Sequence, residues 1–488
     1  MNMMEKATGK SHRMLTLNTI AFTLCFAAWM MNGVLVTFLV DHSVFHWSSV
    51  QVGWLLGIPV LTGSIFRLPL GILTDRFGGK WVFILLLVVA AIPLFLLSYM
   101  NSFAGFALMS FGFGLSGASF AVGIASASVW YPKKQQGLAM GIFGAGNAGA
   151  ALTTLFSPTL LVYLTHDGAD LEGWRLLPQL YAAVLVGMAV LMVLFTENRK
   201  LGGPPRTLAA LLKPMRVTRM WRFGLYYFLV FGCFVAFAQW LVPYYVNVYG
   251  TSLVTAGLFA SMFSLPAGLT RAVGGWFSDK WGARRVLYGV LGASILISLC
   301  LIVPKMMVVS PGRGVMAAKA GVVEQVNDSL VTVGGIDYPL TRIRHDFEKL
   351  DSRQLVMPTK ASWQQPMVKI GDQVGKRQLL ARGITQIYFQ ANMRVFTILV
   401  ILIGLVWGIG MAAVYKHISE YFPSEVGVVG GMVGVIGGLG GFFCPILFGY
   451  LLDGSGLWTS SWMLMLVLSI MCYWWMSRVV SRMIHWNE

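Results

Sequence analysis

The chain has 488 residues, of which 57% are apolar and only 11% charged, and its formal net charge is +17. A soluble globular protein carries about a quarter charged residues, so most of this surface must face lipid rather than water. Basic charge invites nucleic acid, but Lys and Arg cluster here in alternate connections between apolar runs, which argues for a membrane address and against a nucleic-acid partner.

About 20 apolar residues cross a bilayer as a helix. On that ruler, spans are predicted near 15–40, 50–73, 81–100, 103–130, 136–164 and 175–196. The first is too long for a cleavable leader and lacks a small-residue cleavage site, so it is expected to stay in the membrane. A basic, Pro-containing connection occupies 197–222, and six more spans are predicted near 223–249, 253–277, 285–304, 394–420, 426–452 and 457–480. The chain thus divides into an N-terminal half, 1–196, and a C-terminal half, 223–303 with 393–488. Basic residues fall at Lys6, Lys10 and Arg13, at Arg76 and Lys80, at Lys133 and Lys134, and from Arg199 to Arg222. They recur at Lys280, Arg284 and Arg285, at Lys416, and at Arg478 and Arg482. The connections between them carry Asp41, Asp167, Asp170, Glu172 and Asp453 instead. This positive-inside pattern predicts a multi-pass protein of the cytoplasmic (inner) membrane with both termini in the cytoplasm. The five cysteines lie in apolar runs and read as small buried hydrophobes.

The halves repeat. R-L-P-L-G-I-L-T-D-R-F-G-G-K from Arg67 matches R-A-V-G-G-W-F-S-D-K-W-G-A-R from Arg271 at the Arg, the Gly four later, the Asp eight later, the next Gly and a final basic residue. Further on, W-Y-P-K-K ending at Lys134 pairs with E-Y-F-P-S ending at Ser424, and Gly146 and Gly149 fall opposite Gly437 and Gly440. The offset has grown by the length of a polar stretch, so the second half carries an insertion at 304–392. Its turns and alternating runs, such as Ser329-Leu330-Val331-Thr332-Val333, predict a small β-rich domain. Helix counting puts it outside the cytoplasm, where a partner could dock. Val368 to Lys376 is similar to the sandwich of biotinyl and lipoyl carriers, but the Met-Lys-Met attachment site is absent, which argues against a carrier role.

Arg67 and Arg271 each precede by eight residues an Asp, Asp75 or Asp279, that marks a helix end. Eight residues of helix span roughly 12 Å, which places both guanidiniums near the middle of a hydrocarbon core about 30 Å thick. Beyond those helix-end residues the spans hold no acid until Glu420. An anionic ligand between the two groups would supply the missing charge, and a planar, forked guanidinium suits a flat oxyanion. Snorkelling or bonding to backbone carbonyls is the competing reading.

The fifth span reads G-L-A-M-G-I-F-G-A-G-N-A-G-A-A from Gly137, and its partner reads G-V-V-G-G-M-V-G-V-I-G-G-L-G-G from Gly427. Small residues at helical spacing let backbones approach and slide, so Gly141, Gly144, Gly434 and Gly437 are expected to serve close packing and gating. For Asn147, ligand contact and a plain interhelical bond stand as equal alternatives. No Walker motif, catalytic triad or metal cluster is found, so neither an enzyme, a cofactor nor a bound metal is expected.

The pattern R-x3-G-x3-D-x2-G-x-[KR] in both halves resembles the loop signature of the major facilitator superfamily. G-A-G-N-A-G-A-A, and G-G-F-F-C-P ending at Pro445, resemble segments of its nitrate/nitrite porter family. The resemblance implies an all-α integral membrane fold of twelve helices in two six-helix halves. It implies that Arg67 and Arg271 bind nitrate and nitrite and that Asn147 contacts them. Y-F-L-V-F-G-C-F from Tyr227 is similar to the family segment giving a hydroxyl and a stacking ring, hence Tyr227 and Phe231, and G-A-S-F suggests Phe120 as the opposing ring. Core packing is the competing reading for these aromatics. The sequence departs from the pattern at Gly438, which stands opposite Asn147, and in its long insertion.

Alternating access about a midplane site follows. Asp75, Arg76, Lys80, Asp279, Lys280, Arg284 and Arg285 are expected to form cytoplasmic locks. Nitrate/nitrite exchange by a monomer in membrane lipid, serving nitrate assimilation, is the favoured activity. Nitrate/proton symport is kept open by His417 and Glu420, and transport of another small organic anion is a further alternative.

Overall fold

The computed structural model describes residues 8–132, 135–200, 213–303, 306–341, 359–422 and 426–485. Lys6, Lys133, Lys134, Ser424, residues 201–212 of the central connection and residues 342–358 of the insertion lie outside the described residues.

Among the described residues, twelve helices are long and apolar enough to cross a membrane. We number them as spans 1 to 12: Gly9–Asp41, Ser49–Phe77, Gly79–Leu97, Phe103–Ala127, Ala139–Leu164, Leu171–Phe195, Thr218–Tyr249, Leu253–Trp281, Ala283–Leu301, Met393–Tyr421, Val428–Ser455 and Ser460–Ser481. Each expected span has its counterpart. Spans 1 and 7 are 83% and 89% buried over their most apolar windows, against 33% and 22% for spans 9 and 12. The first pair therefore forms the centre of the bundle, and the second pair shows side chains such as Leu296 and Val467 to lipid. Cys300, on span 9, is exposed, unlike the other four cysteines, because its helix has only one neighbour-facing side.

Several spans are not single helices. Span 2 breaks at Phe66, where Ser49–Ile65 ends and Arg67–Phe77 begins. Pro69 explains the position: it has no N–H for the Ile65 carbonyl, and its ring collides with that group. Span 4 tightens to a 3-10 helix over Gly114–Ala118, and span 5 does so over Ala145–Ala148. Span 7 widens into a π turn over Phe228–Gly232. Spans 8 and 10 run unbroken, and span 11 belongs to an unbroken helix, Val426–Ser455.

The halves press together at the end of the bundle away from the chain termini. A Cβ added to Gly53 or Gly57 of span 2 would come within 2.4 Å of the Pro445 carbonyl oxygen or 2.7 Å of that of Phe442, both on span 11. One added to Gly257 of span 8 would come within 2.1 Å of the Thr154 carbonyl oxygen on span 5. Gln239 of span 7 donates to the Leu56 carbonyl at 3.3 Å. Only glycine permits backbones this close. At the terminal end the picture reverses: Gly71, Gly141, Gly275 and Gly431 have nothing within 4 Å of where a Cβ would stand. The terminal end is an open cleft.

Residues Val303–Thr397 form a compact unit of their own. Its strands are β1 (Met306–Met316), β2 (Gly321–Val326), β3 (Leu330–Val333), β4 (Ile336–Pro339), β5 (Thr359–Pro366), β6 (Gln373–Val374) and β7 (Leu379–Phe389). They make two antiparallel sheets, ordered β1-β7-β5 and β4-β3-β2-β6. The alternation read from Ser329–Val333 is realised in β3, where Val331 and Val333 turn into a core with Val323, Tyr338, Val374 and Leu380.

Candidate functional site

Arg67 stands directly after the break in span 2 and is only 6% exposed. Its guanidinium carbon lies 5.9, 5.7 and 5.4 Å from the rings of Trp29, Phe120 and Phe231. Nη1 donates to the Gly434 carbonyl on span 11 at 2.8 Å, so the side chain crosses from one half to the other. Nε is buried and has no partner.

Arg271 occupies the matching position of span 8 and is half-buried. Its guanidinium carbon lies 5.6 Å from the rings of Phe120 and Tyr415. Its Nη1 is also buried without a partner. A Cβ on Gly144 of span 5 would be 3.9 Å from that nitrogen, so Arg271 reaches across the seam in the opposite sense. Phe120 faces both cations, and the structure brings the two arginines to one place.

The other expected residues gather around them. Asn147 is buried within the 3-10 turn of span 5. Tyr227 and Phe231 lie one turn apart across the π turn, with rings stacked at 5.0 Å and 10°. Gly437 makes room for Tyr227, whose Cδ1 would be 2.2 Å from an added Cβ. Phe120 and Phe231 both stand against Arg67.

Three contributors escaped the sequence reading. Trp29 is held beside Arg67 by an indole donation to the Pro59 carbonyl at 2.8 Å. Nothing in the sequence marks it. Tyr415 meets Tyr227 edge-on at 5.2 Å and donates to the Gly430 carbonyl at 3.3 Å. The repeat register carried a usable signal: Met411 takes the place of Phe120, and Tyr415 follows one turn later. Ser64, three residues before Arg67, is wholly buried, and its hydroxyl has no partner.

The electrostatics are one-sided. Among the described residues the buried ionisable side chains with formal or potential positive charge are Arg67, Arg222 and His417, and no carboxylate is buried. No ion pair reaches Arg67 or Arg271 among the described residues. A charge at mid-bilayer costs about 2.5–3.5 kcal/mol on insertion scales, and each buried unsatisfied donor costs about 1–3 kcal/mol more. The rings soften this, since a guanidinium over an aromatic face gains about 0.5–2 kcal/mol. They supply no acceptor for the free N–H groups. A flat anion would.

The charged residues expected to gate lie at the terminal end, and Lys80, Asp279 and Arg284 bond within their own halves in this state. Lys80 donates to the Val193 and Thr196 carbonyls at 2.9 and 2.7 Å, tying span 3 to the end of span 6. Lys416 pairs with Asp279 at 2.6 Å, and Arg284 donates to the Tyr421 hydroxyl at 3.1 Å, both joining neighbours of the C-terminal half. Arg76 rests over Phe77, and Lys280 lies over Trp276 and Trp281. Asp75 is half-buried at the end of span 2. Of the four glycines, Gly144, Gly434 and Gly437 line the site itself, and Gly141 stands in the open cleft.

Twelve spans in two repeated halves, meeting at one end around a shared polar centre, define a two-half membrane carrier architecture. The family model described as Major Facilitator Superfamily matches residues 17–324, and the chain belongs to that superfamily. The probable nitrate/nitrite antiporter NarK1 of Thermus thermophilus is 38% identical over 486 residues, covering 99% of this chain and 94% of that protein. The nitrite extrusion protein of Bacillus subtilis (strain 168) is 26% identical over 472 residues, covering 95% of each. A bacterial homologue of the human lysosomal transporter Spinster, solved inward-facing and occupied, is similar in fold, with a TM-score of 0.64 at 15% identity over 97% of this chain and 98% of that one.

Proposed function

We propose that this protein is a secondary transporter that exchanges nitrate and nitrite across the cytoplasmic membrane by alternating access. One observation carries the reading: two guanidiniums from opposite halves converge at mid-span with buried N–H groups unspent and no buried carboxylate among the described residues. An oxyanion offers both the charge and the acceptors. The aromatic faces of Phe120, Phe231, Tyr227 and Tyr415 suit a flat π-system lying between them. The full-length relative named as a nitrate/nitrite antiporter supports the same substrate pair.

With the termini in the cytoplasm, the open cleft faces inward. Mutual repulsion of the arginines holds the empty site from closing, and a bound anion relieves it. That coupling favours obligatory exchange, with the protein working as a monomer in lipid.

The test is counterflow of labelled nitrate in proteoliposomes preloaded with nitrite, with and without an imposed pH gradient. Uptake that requires internal nitrite and ignores the gradient is expected. Proton symport is the second reading, and one observation favours it: His417 is buried, stacked on Tyr421 at 5.4 Å, and its Nδ1 has no partner. Uptake into empty vesicles driven by an inward proton gradient would select that reading. Counterflow of a larger organic anion in preference to nitrate would overturn both.

A further inference from the structure

The two halves make the same pair of crossings with the polar partner exchanged. In the register that pairs Arg67 with Arg271, Ser64 pairs with Gly268; in the register of the Gly-rich helices, Asn147 pairs with Gly438. A Cβ on Gly438 would stand 2.1 Å from the Ser64 hydroxyl, and one on Gly268 would stand 3.8 Å from the Ala148 nitrogen, beside Asn147. Where span 2 meets span 11 a polar side chain thus faces a glycine, and where span 5 meets span 8 the glycine faces the backbone next to a polar residue. Where span 5 meets span 8 the polar group is an amide, and where span 2 meets span 11 it is a hydroxyl.

Three further facts aim this hydroxyl at the site. It is wholly buried and makes no hydrogen bond. Arg67 Nη1 lies 3.7 Å from the same Gly438 point, so serine and arginine converge there. Ser64 also stands three residues before Arg67, directly across the break in span 2. Any side chain at position 438 would displace the hydroxyl, which gives Gly438 a reason to be glycine.

We infer that Ser64 is the counterpart of Asn147: an uncharged donor to the anion held between Arg67 and Arg271, and a determinant of nitrate over nitrite. The inference rests on the oxyanion reading of this site. A trigonal ion with three oxygens presents one more acceptor than a bent ion with two. Two guanidiniums and one amide serve the oxygens common to both ions, and the hydroxyl serves the additional one. The apparent asymmetry at Gly438 is thus restored from the facing helix.

The test compares nitrate and nitrite KM for the full-length protein in proteoliposomes. Ser64→Ala removes only the oxygen and is expected to raise nitrate KM about tenfold, the low end for a hydrogen bond to a charged group, with a distinctly smaller rise for nitrite. The double variant Ser64→Gly/Gly438→Ser brings a hydroxyl back from the opposite helix and is expected to restore the ratio. Equal shifts for both ions, or none, would overturn the proposal, as would a double variant whose ratio matches that of Ser64→Ala. Should Ser64→Ala fail to accumulate, Ser64→Cys keeps a side chain of similar shape with a weaker donor, and it is expected to move the ratio in the same direction; an unmoved ratio overturns the proposal. Failure of the oxyanion reading looks different: wild-type protein would not take up nitrate, or Arg271→Lys would exchange it normally, whatever Ser64 does.

Discussion

The N-terminal half breaks spans 2, 4 and 5 at the level of the site, whereas the matching spans 8, 10 and 11 cross that level unbroken. The difference follows from a few residues. Pro69 interrupts span 2, and its counterpart Val273 lets span 8 continue. In span 5 the polar Asn147 sits in the tightened turn, and its counterpart Gly438 sits in regular helix. Both sets of helices descend from one pattern, yet the first is locally shaped around polar side chains, and the second presents smooth, glycine-lined faces. A short 3-10 stretch inside a helix often marks a hinge, and an unbroken helix moves as one body. For these three matched pairs the local helix distortions lie in the N-terminal half and the regular helices in the C-terminal half, while span 7 adds a π turn of its own.

The severest challenge to that division is exchanging each arginine for lysine. Arg67→Lys and Arg271→Lys keep the charge but lose the planar fork, and each should lower nitrate counterflow about 100-fold or more, as expected for lost charge-assisted bidentate bonds. Equal and complete losses would show that the two halves share the anion despite their different helices. Next comes the seam. Gly53→Ala would push a methyl into the Pro445 carbonyl, and overpacking of this kind commonly costs about 1–3 kcal/mol. Exchange should fall at least tenfold, checked by initial rates against a melting curve. Pro69→Ala removes the cause of the break, and should straighten span 2 and raise nitrate KM about fivefold through misplacement of Arg67. Hydrogen exchange over residues 62–70 would report the repaired helix. Gly141→Ala meets nothing in this state. It should leave nitrate binding unchanged by calorimetry and slow exchange about threefold, because small residues matter when the open end closes.

The smallest effect is expected from the β unit. Met306 and Phe389 are paired partners at the ends of β1 and β7, so their backbones lie about 5 Å apart, as in any antiparallel pair. A short Gly-Ser linker can replace 306–389 without stretching spans 9 and 10. Nitrate/nitrite exchange by that variant should stay within about twofold of wild type, since a separately cored unit adds little to the transport helices. A large loss would tie the insertion to the transport cycle.

Much of this was legible before any coordinates. Apolar length set the twelve spans, a shared motif revealed the repeat, and two charged residues without acidic partners marked the candidate site. Residues outside any repeated motif were harder to see. Trp29 reaches the site through an indole bond to a carbonyl of another helix, and such a bond leaves no trace in local composition. Ser64 looked like one more small polar residue until its hydroxyl was found wedged against Gly438. The charged residues of the terminal end, Asp75 and Asp279 with their basic neighbours, were expected to form cytoplasmic locks. In this state Lys80, Lys416 and Arg284 bind within their own halves, because the cleft there is open.

By itself, the sequence determined solvent, span number, internal repetition and the cationic centre, because each follows from local hydropathy or from charge that a bilayer cannot tolerate without compensation. Only tertiary structure decided which end is closed, which ring faces which cation, and which hydroxyl stands opposite which glycine. Those outcomes depend on contacts of a few ångströms between helices hundreds of residues apart, such as Arg67 Nη1 on the Gly434 carbonyl. Periodicity along one strand of sequence carries no record of where a distant helix comes to rest.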